Sequence, residues 1–281
     1  MVKLTNSTIT AEIAALGAEL QSLKLNGAEY LWNGDPAYWT GRAPVLFPIC
    51  GGVADDTYTY GGKKYRLPKH GFARKREFTL ESASDNAATF LLRSDDDTRG
   101  GYPFEFELRA RYALYGATLV ADYMATNTGE CDMLFSVGAH EGYACPEGIA
   151  AYDLVFERPE NLRANVLHGN LLGRDTIPVL EGDTLALDPR YFEVDALVFT
   201  DVKSRKVTLR NRATGRSVEV RFDGFPYLLI WQKHNAPYIC IEPWCGLPDY
   251  IDGDGTLAGK AGIITAAPGE TIVRTHTVRL M

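Results

Sequence analysis

The chain has 281 residues, 46% of them hydrophobic, and its 29 Lys and Arg against 36 Asp and Glu leave a formal net charge of −7. That balance excludes the electrostatic footprint of a DNA- or RNA-binding protein and makes an anionic membrane an unfavourable partner. No apolar run approaches the roughly 20 residues of a membrane span, and Met1-Val-Lys-Leu-Thr-Asn lacks the pattern of a secretory signal, so a cytoplasmic protein is expected.

Alternation of apolar and polar residues recurs along the whole chain and predicts strands, with turn residues between them. Asn26-Gly27 before Tyr30-Leu-Trp32 reads as a hairpin turn, as does Gly61-Gly62 between Tyr58-Thr-Tyr60 and Lys64-Tyr-Arg66. Phe104 to Tyr112 places apolar residues on one face and charges on the other, the pattern of a half-exposed antiparallel strand. Met133 to Ala139 is an apolar strand that stops at His140. Glu157 to Asp195, rich in Asn, Gly, Asp and Pro, reads as long connections. Ala213-Thr-Gly215 joins two more alternating runs, and Tyr238-Ile-Cys-Ile-Glu242 is a buried strand that ends at Pro243. No segment of about 12 residues carries helical spacing with a cap, so helices should be few and short. The expected fold class is all-β, a large antiparallel β-sandwich, with residues 1–281 in one domain.

Few residues stand where chemistry could use them. Glu242, followed by Pro243 and Trp244, would sit in a desolvated, aromatic-walled cleft with a raised pKa. His140, flanked by Ala139 and Glu141, ends a strand, where a rigid scaffold presents functional groups, although a core histidine satisfied by a carbonyl fits equally well. Its neighbour Glu141 should face solvent. His70, in Pro68-Lys-His-Gly-Phe-Ala-Arg74, titrates near neutrality; alone it also reads as a surface histidine in a basic loop. Arg42, between Gly41 and Ala43, could present its donors to hydroxyls or phosphate, or form a structural salt bridge. Arg74 belongs to a basic patch. Asp195 interrupts a hydrophobic run and needs hydrogen-bonding partners, sugar or protein. His168, His234 and His276 have weaker contexts, His234 alone being near enough to the Glu242 strand to reach the same cleft. The odd count of five cysteines, without zinc-type spacing, suggests reduced core filler. Phosphate-loop, dinucleotide, His-Glu-x-x-His and Gly-x-Ser-x-Gly motifs are absent.

Taken together, Leu31-Trp-Asn-Gly-Asp-Pro-Ala-Tyr-Trp39, Arg42-Ala-Pro-Val-Leu-Phe-Pro48, His70-Gly-Phe-Ala-Arg74, Ser136-Val-Gly-Ala-His140 and Cys240-Ile-Glu-Pro-Trp244 resemble the aldose 1-epimerase (mutarotase) family, in its LacX-like branch. The resemblance implies a β-sandwich isomerase that interconverts the α and β anomers of a sugar without cofactor or metal. It implies Glu242 as base, His140 as acid and His70 as an assisting donor, with Arg42, Asp195 and Arg74 holding substrate. His-Gly-Phe-Ala-Arg also resembles the hexose-6-phosphate epimerase branch, in which arginines grip phosphate. Glu141 departs from the proline usual after this histidine in the LacX-like group. A hexose-6-phosphate 1-epimerase and a non-catalytic carbohydrate-binding protein are therefore the alternatives. A glycosidase would need a second carboxylate where this chain offers a histidine.

Overall fold

The computed structural model describes residues 1–193 and 195–281. Among them, thirteen strands join in one antiparallel sheet. It begins at the edge strand Glu141–Ala144 and runs through Tyr238–Trp244, Tyr227–Trp231 and Leu197–Phe199 to Tyr152–His168. It continues through Lys206–Asn211 and Ser217–Arg221 to Thr271–Leu280, and ends at Thr79–Ala83. Such a long sheet does not stay flat. Glu141, on the first strand of this order, bonds His276, on the eighth. The sheet therefore curls over its own apolar face into a large β-sandwich. One hydrophobic cluster runs through it from Leu4 to Leu280.

The alternating run expected from Phe104 forms the strand Phe106–Tyr115, buried at every second residue over most of its length. The hairpins at Asn26-Gly27 and Gly61-Gly62 form with all four residues at positive φ, as two-residue turns matched to strand twist require. The α-helix found among the described residues is the short Asp96–Gly101, opened by Asp95 and Thr98, each of which accepts the other's backbone N–H.

The stretch Glu157–Asp195 differs from expectation. Most of it belongs to the two longest strands, Tyr152–His168 and Leu171–Ala186, paired with each other. Three register shifts break the pairing, and Pro159 and Pro178 lie within the strands. Each bulge moves the inward face by one residue, which erases the period-two signal. Cys131 is exposed, whereas the other four cysteines are buried free thiols.

Candidate active site

Alternation along Tyr238–Trp244 turns Ile239 and Ile241 into the main core and leaves Cys240, Glu242 and Trp244 on the opposite face. The neighbouring edge strand pairs Glu141 with Ile241. Just before that strand, Ala139 donates its N–H to Pro243 O at 3.0 Å and accepts the Trp244 indole N–H at 3.2 Å. His140 is thereby set beside Glu242, with Nε2 3.2 Å from Oε2. Its ring lies 5.0 Å from Trp39, 5.8 Å from Trp231 and 5.7 Å from His70.

His70 reaches this place through an uncommon backbone. It has φ +67°, outside the range bulky residues favour, and is followed by Gly71 at φ +66°. A Cβ at Gly71 would lie 2.2 Å from Phe47 O, so this turn needs glycine. The His70 N–H donates to Gly51 O at 2.8 Å, and its Nδ1 accepts the Gly51 N–H at 3.2 Å. A neutral His70 therefore carries its proton on Nε2. The Gly51-Gly52 segment is itself held from below. Lys260 Nζ donates to Gly52 O at 2.9 Å and pairs with Asp249 Oδ1 at 3.1 Å, and the Asp249 N–H reaches Gly52 O at 3.0 Å.

Burial decides the protonation chemistry. It pushes the Glu242 carboxyl well above the usual carboxylate range, with Asp195 and Glu141 adding to the rise and Lys69 opposing it. It pushes the His140 imidazole down to about 3, with Lys69 and Arg74 acting in the same direction. The His70 imidazole is lowered well below its ordinary value by burial, then by His140 and Lys69.

These side chains line a cleft of about 450 Å3. Lys69, Arg74 and Lys233 are its basic residues, Glu193 and Asp195 its other acids, and Trp39, Trp231 and Trp244 its indole walls. The structure thus brings His140, Glu242, His70, Asp195 and Arg74 to one cavity, and adds His234. Arg74 donates from Nη2 to Lys69 O at 3.0 Å, while its buried Nε has no partner among the described residues. Asp195 accepts the N–H of Ala196 at 2.8 Å.

Arg42 does not join them. Its backbone N–H and that of Ala43 go to Glu19 Oε1, and its guanidinium turns back to Gln21 O at 2.5 Å, outside the cleft lining. A half-buried carboxylate and the carbonyl of a residue left unpaired by a bulge claim the arginine, a partner choice that its Gly-Arg-Ala context does not reveal. Glu141, expected in solvent, is buried, with Oε1 2.8 Å from His276 Nε2. Sequence reasoning passed over Trp39, Trp231, Lys233 and Glu193. An indole at Trp39, within a loop of Gly, Asp and Pro, was the available signal, because nothing local buries it.

Comparison with known proteins gives this cleft its class, an isomerase: one family model matches nearly the whole chain, which belongs to the aldose 1-epimerase family. The family model, Aldose 1-epimerase, matches residues 1–279. The chain is 35% identical over 296 residues to the plasmid-encoded Protein LacX of Lactococcus lactis subsp. lactis, covering 100% of this chain and 99% of that one. It superposes with a TM-score of 0.95 and 32% identity on a galactose mutarotase related enzyme from Lactobacillus acidophilus, over 100% of this chain and 97% of the other. A galactose mutarotase-like protein from Lactobacillus casei ATCC 334 gives the same TM-score and identity over the whole of both chains.

Proposed function

We propose that the cleft interconverts the α and β anomers of a hexopyranose by opening and reclosing the ring, with Glu242 as base and His140 as acid. The observation that carries this is the 3.2 Å approach of His140 Nε2 to Glu242 Oε2 in the cleft lining. The anomeric hydroxyl oxygen and the ring oxygen are bonded to the same carbon. Neighbouring side chains, one a donor and one an acceptor, can therefore serve both oxygens.

Burial favours neutral imidazole beside carboxylic acid. Moving one proton from Glu242 to His140 gives imidazolium and carboxylate, the pair the reaction needs. Ring opening consumes it. Glu242 takes the proton of the anomeric hydroxyl as the carbonyl forms, the bond from C1 to the ring oxygen breaks, and His140 protonates that oxygen. The open aldehyde then faces the neutral pair that the dry wall favours. Rotation of the aldehyde exposes its other face, and the same transfers in reverse close the second anomer. His70, neutral with its proton on Nε2, donates a hydrogen bond within the cleft. Asp195 accepts from sugar hydroxyls, and the indoles cover the apolar faces of the ring. The continuous core from Leu4 to Leu280 supports a single domain.

Lys69, Arg74 and Lys233 favour a second reading of the substrate, in which the sugar carries a phosphate and the unpartnered Arg74 Nε is one of its donors. Anomer exchange followed by polarimetry on fresh α-glucose, α-galactose and their 6-phosphates tests both readings. Acceleration over buffer that is lost in Glu242→Gln is expected. No acceleration with any of these sugars, together with calorimetric binding, would replace the catalytic reading with a carbohydrate-binding one. For the phosphosugar, Arg74→Ala should raise KM selectively, and equal losses on neutral sugars would remove that reading.

A further inference from the structure

We propose that the cleft wall also holds an inhibitory site for a thiophilic divalent cation such as Zn2+, formed by His140, Cys240 and Glu242. One ring nitrogen of His140, the Cys240 sulfur and a Glu242 carboxylate oxygen lie within 4.8 Å of one another, and all three residues are buried. Cys240 has no part in the proton transfers described above. No linear motif announces the set, because Cys240 and Glu242 are two residues apart on one strand while His140 lies just before the strand paired with it.

Three physical features favour this cation class. Cys240 and Glu242 share one strand and His140 immediately precedes the strand paired with it, so the spacing is set close to a main-chain ladder. The donor set of thiolate, imidazole and carboxylate suits Zn2+ and disfavours Mg2+ and Ca2+, which prefer oxygen alone. Charge also balances. A thiolate, a carboxylate and a neutral imidazole around a divalent ion sum to zero, which a dry wall tolerates better than a bare ion pair. Binding releases the thiol proton, and any proton on the carboxyl, to solvent.

His140 and Glu242 line the cleft, whereas Cys240 packs behind it with Trp32, Ala236 and Tyr238. An ion on these three would enter through the cleft and keep its remaining position towards it. There it would occupy the place of the anomeric carbon and hold both proton-transfer groups. Inhibition should therefore be competitive with sugar.

The test uses the full-length protein in a Cys131→Ser background, which removes the exposed thiol. Co2+ serves as a spectroscopic probe, and Zn2+ and Mg2+ are compared in the anomer-exchange assay. The expected results are a thiolate-to-cobalt charge-transfer band that Zn2+ abolishes, competitive inhibition by Zn2+, and none by Mg2+ at equal concentration. Cys240→Ala should lose the band and weaken Zn2+ inhibition by at least about 10–100-fold, the scale that even an outer-sphere partner commands at a metal site, while catalysis without metal persists. Absence of the band in the parent, inhibition unchanged in Cys240→Ala, or inhibition that excess sugar does not relieve would each overturn the proposal. If Cys240→Ala does not fold, the parent's cobalt spectrum decides alone. Because that spectrum needs no turnover, the metal site stands or falls separately from the proposed epimerase reaction.

Discussion

Replacing Lys260 by methionine removes the cation beneath the loop that holds His70. The Lys260 side chain is fully buried and that of Asp249 is 8% exposed, so the remaining carboxylate could not recover its hydration. Breaking a buried pair from one side costs about 3–5 kcal/mol. An unfolding entropy of about 2.1 cal/mol/K per residue amounts to roughly 0.6 kcal/mol/K for a chain of this length, so Tm should fall by about 5–8 °C. Differential scanning calorimetry of Lys260→Met, Asp249→Leu and the double variant measures the coupling. The double variant should be more stable than Lys260→Met, because it buries no unpaired charge. In Lys260→Met kcat should also fall, since Gly52 O loses its ammonium donor and the adjoining Gly51 sets the His70 ring. The reasoning fails if Lys260→Met costs less than about 1 kcal/mol, the value of a surface pair, or if the double variant is as unstable as Lys260→Met.

The remaining predictions concern the site and its supports. Glu242→Gln should lower kcat by about 10²–10⁴-fold, the usual contribution of a positioned acid or base, as read by polarimetry. The same variant should be no less stable than the parent at neutral pH. A carboxyl whose folded pKa is raised contributes favourably below its unfolded value and loses that contribution as pH rises through the folded value, a loss that glutamine does not suffer. Because the reactive pair carries one proton, loss of the Glu242 proton should set the alkaline limb of kcat/KM, and burial should place that limb above about 4.3, the ordinary glutamate value; activity already lost at or below that value would contradict the placement. Gly71→Ala should cost more than about 1 kcal/mol in urea titration, because the new methyl meets Phe47 O at a backbone angle that alanine resists.

The strands that were easiest to read from sequence are those with one face in solvent, such as Phe106–Tyr115, because burial at alternate residues is what periodicity records. The paired strands Tyr152–His168 and Leu171–Ala186 escaped the reading because bulges repeatedly exchange their inner and outer faces. At the site, Glu242 and His140 were legible because each breaks a run of apolar residues, and an isolated polar group in a buried strand needs a reason to be there. Arg42 stood out for the same reason, but its guanidinium is satisfied by Gln21 O, a partner supplied by a strand distant in sequence. Glu141 was misplaced because it follows His140 on an edge strand. The curl of the sheet brings His276 over it, and that tertiary fact has no local signature.

The ladder between Glu141–Ala144 and Tyr238–Trp244 does more than close one end of the sandwich. A slip of a single residue there would exchange Glu242 for Ile241 on the cleft wall and send the carboxylate into hydrocarbon. The distance between His140 and Glu242, on which the proposed proton transfers depend, is thus set next to main-chain pairing rather than by a drifting loop. Asp195, Lys233 and Arg74 stand outside that ladder, so under the proposed reaction a change at any of them alters the grip on the sugar and leaves that distance alone.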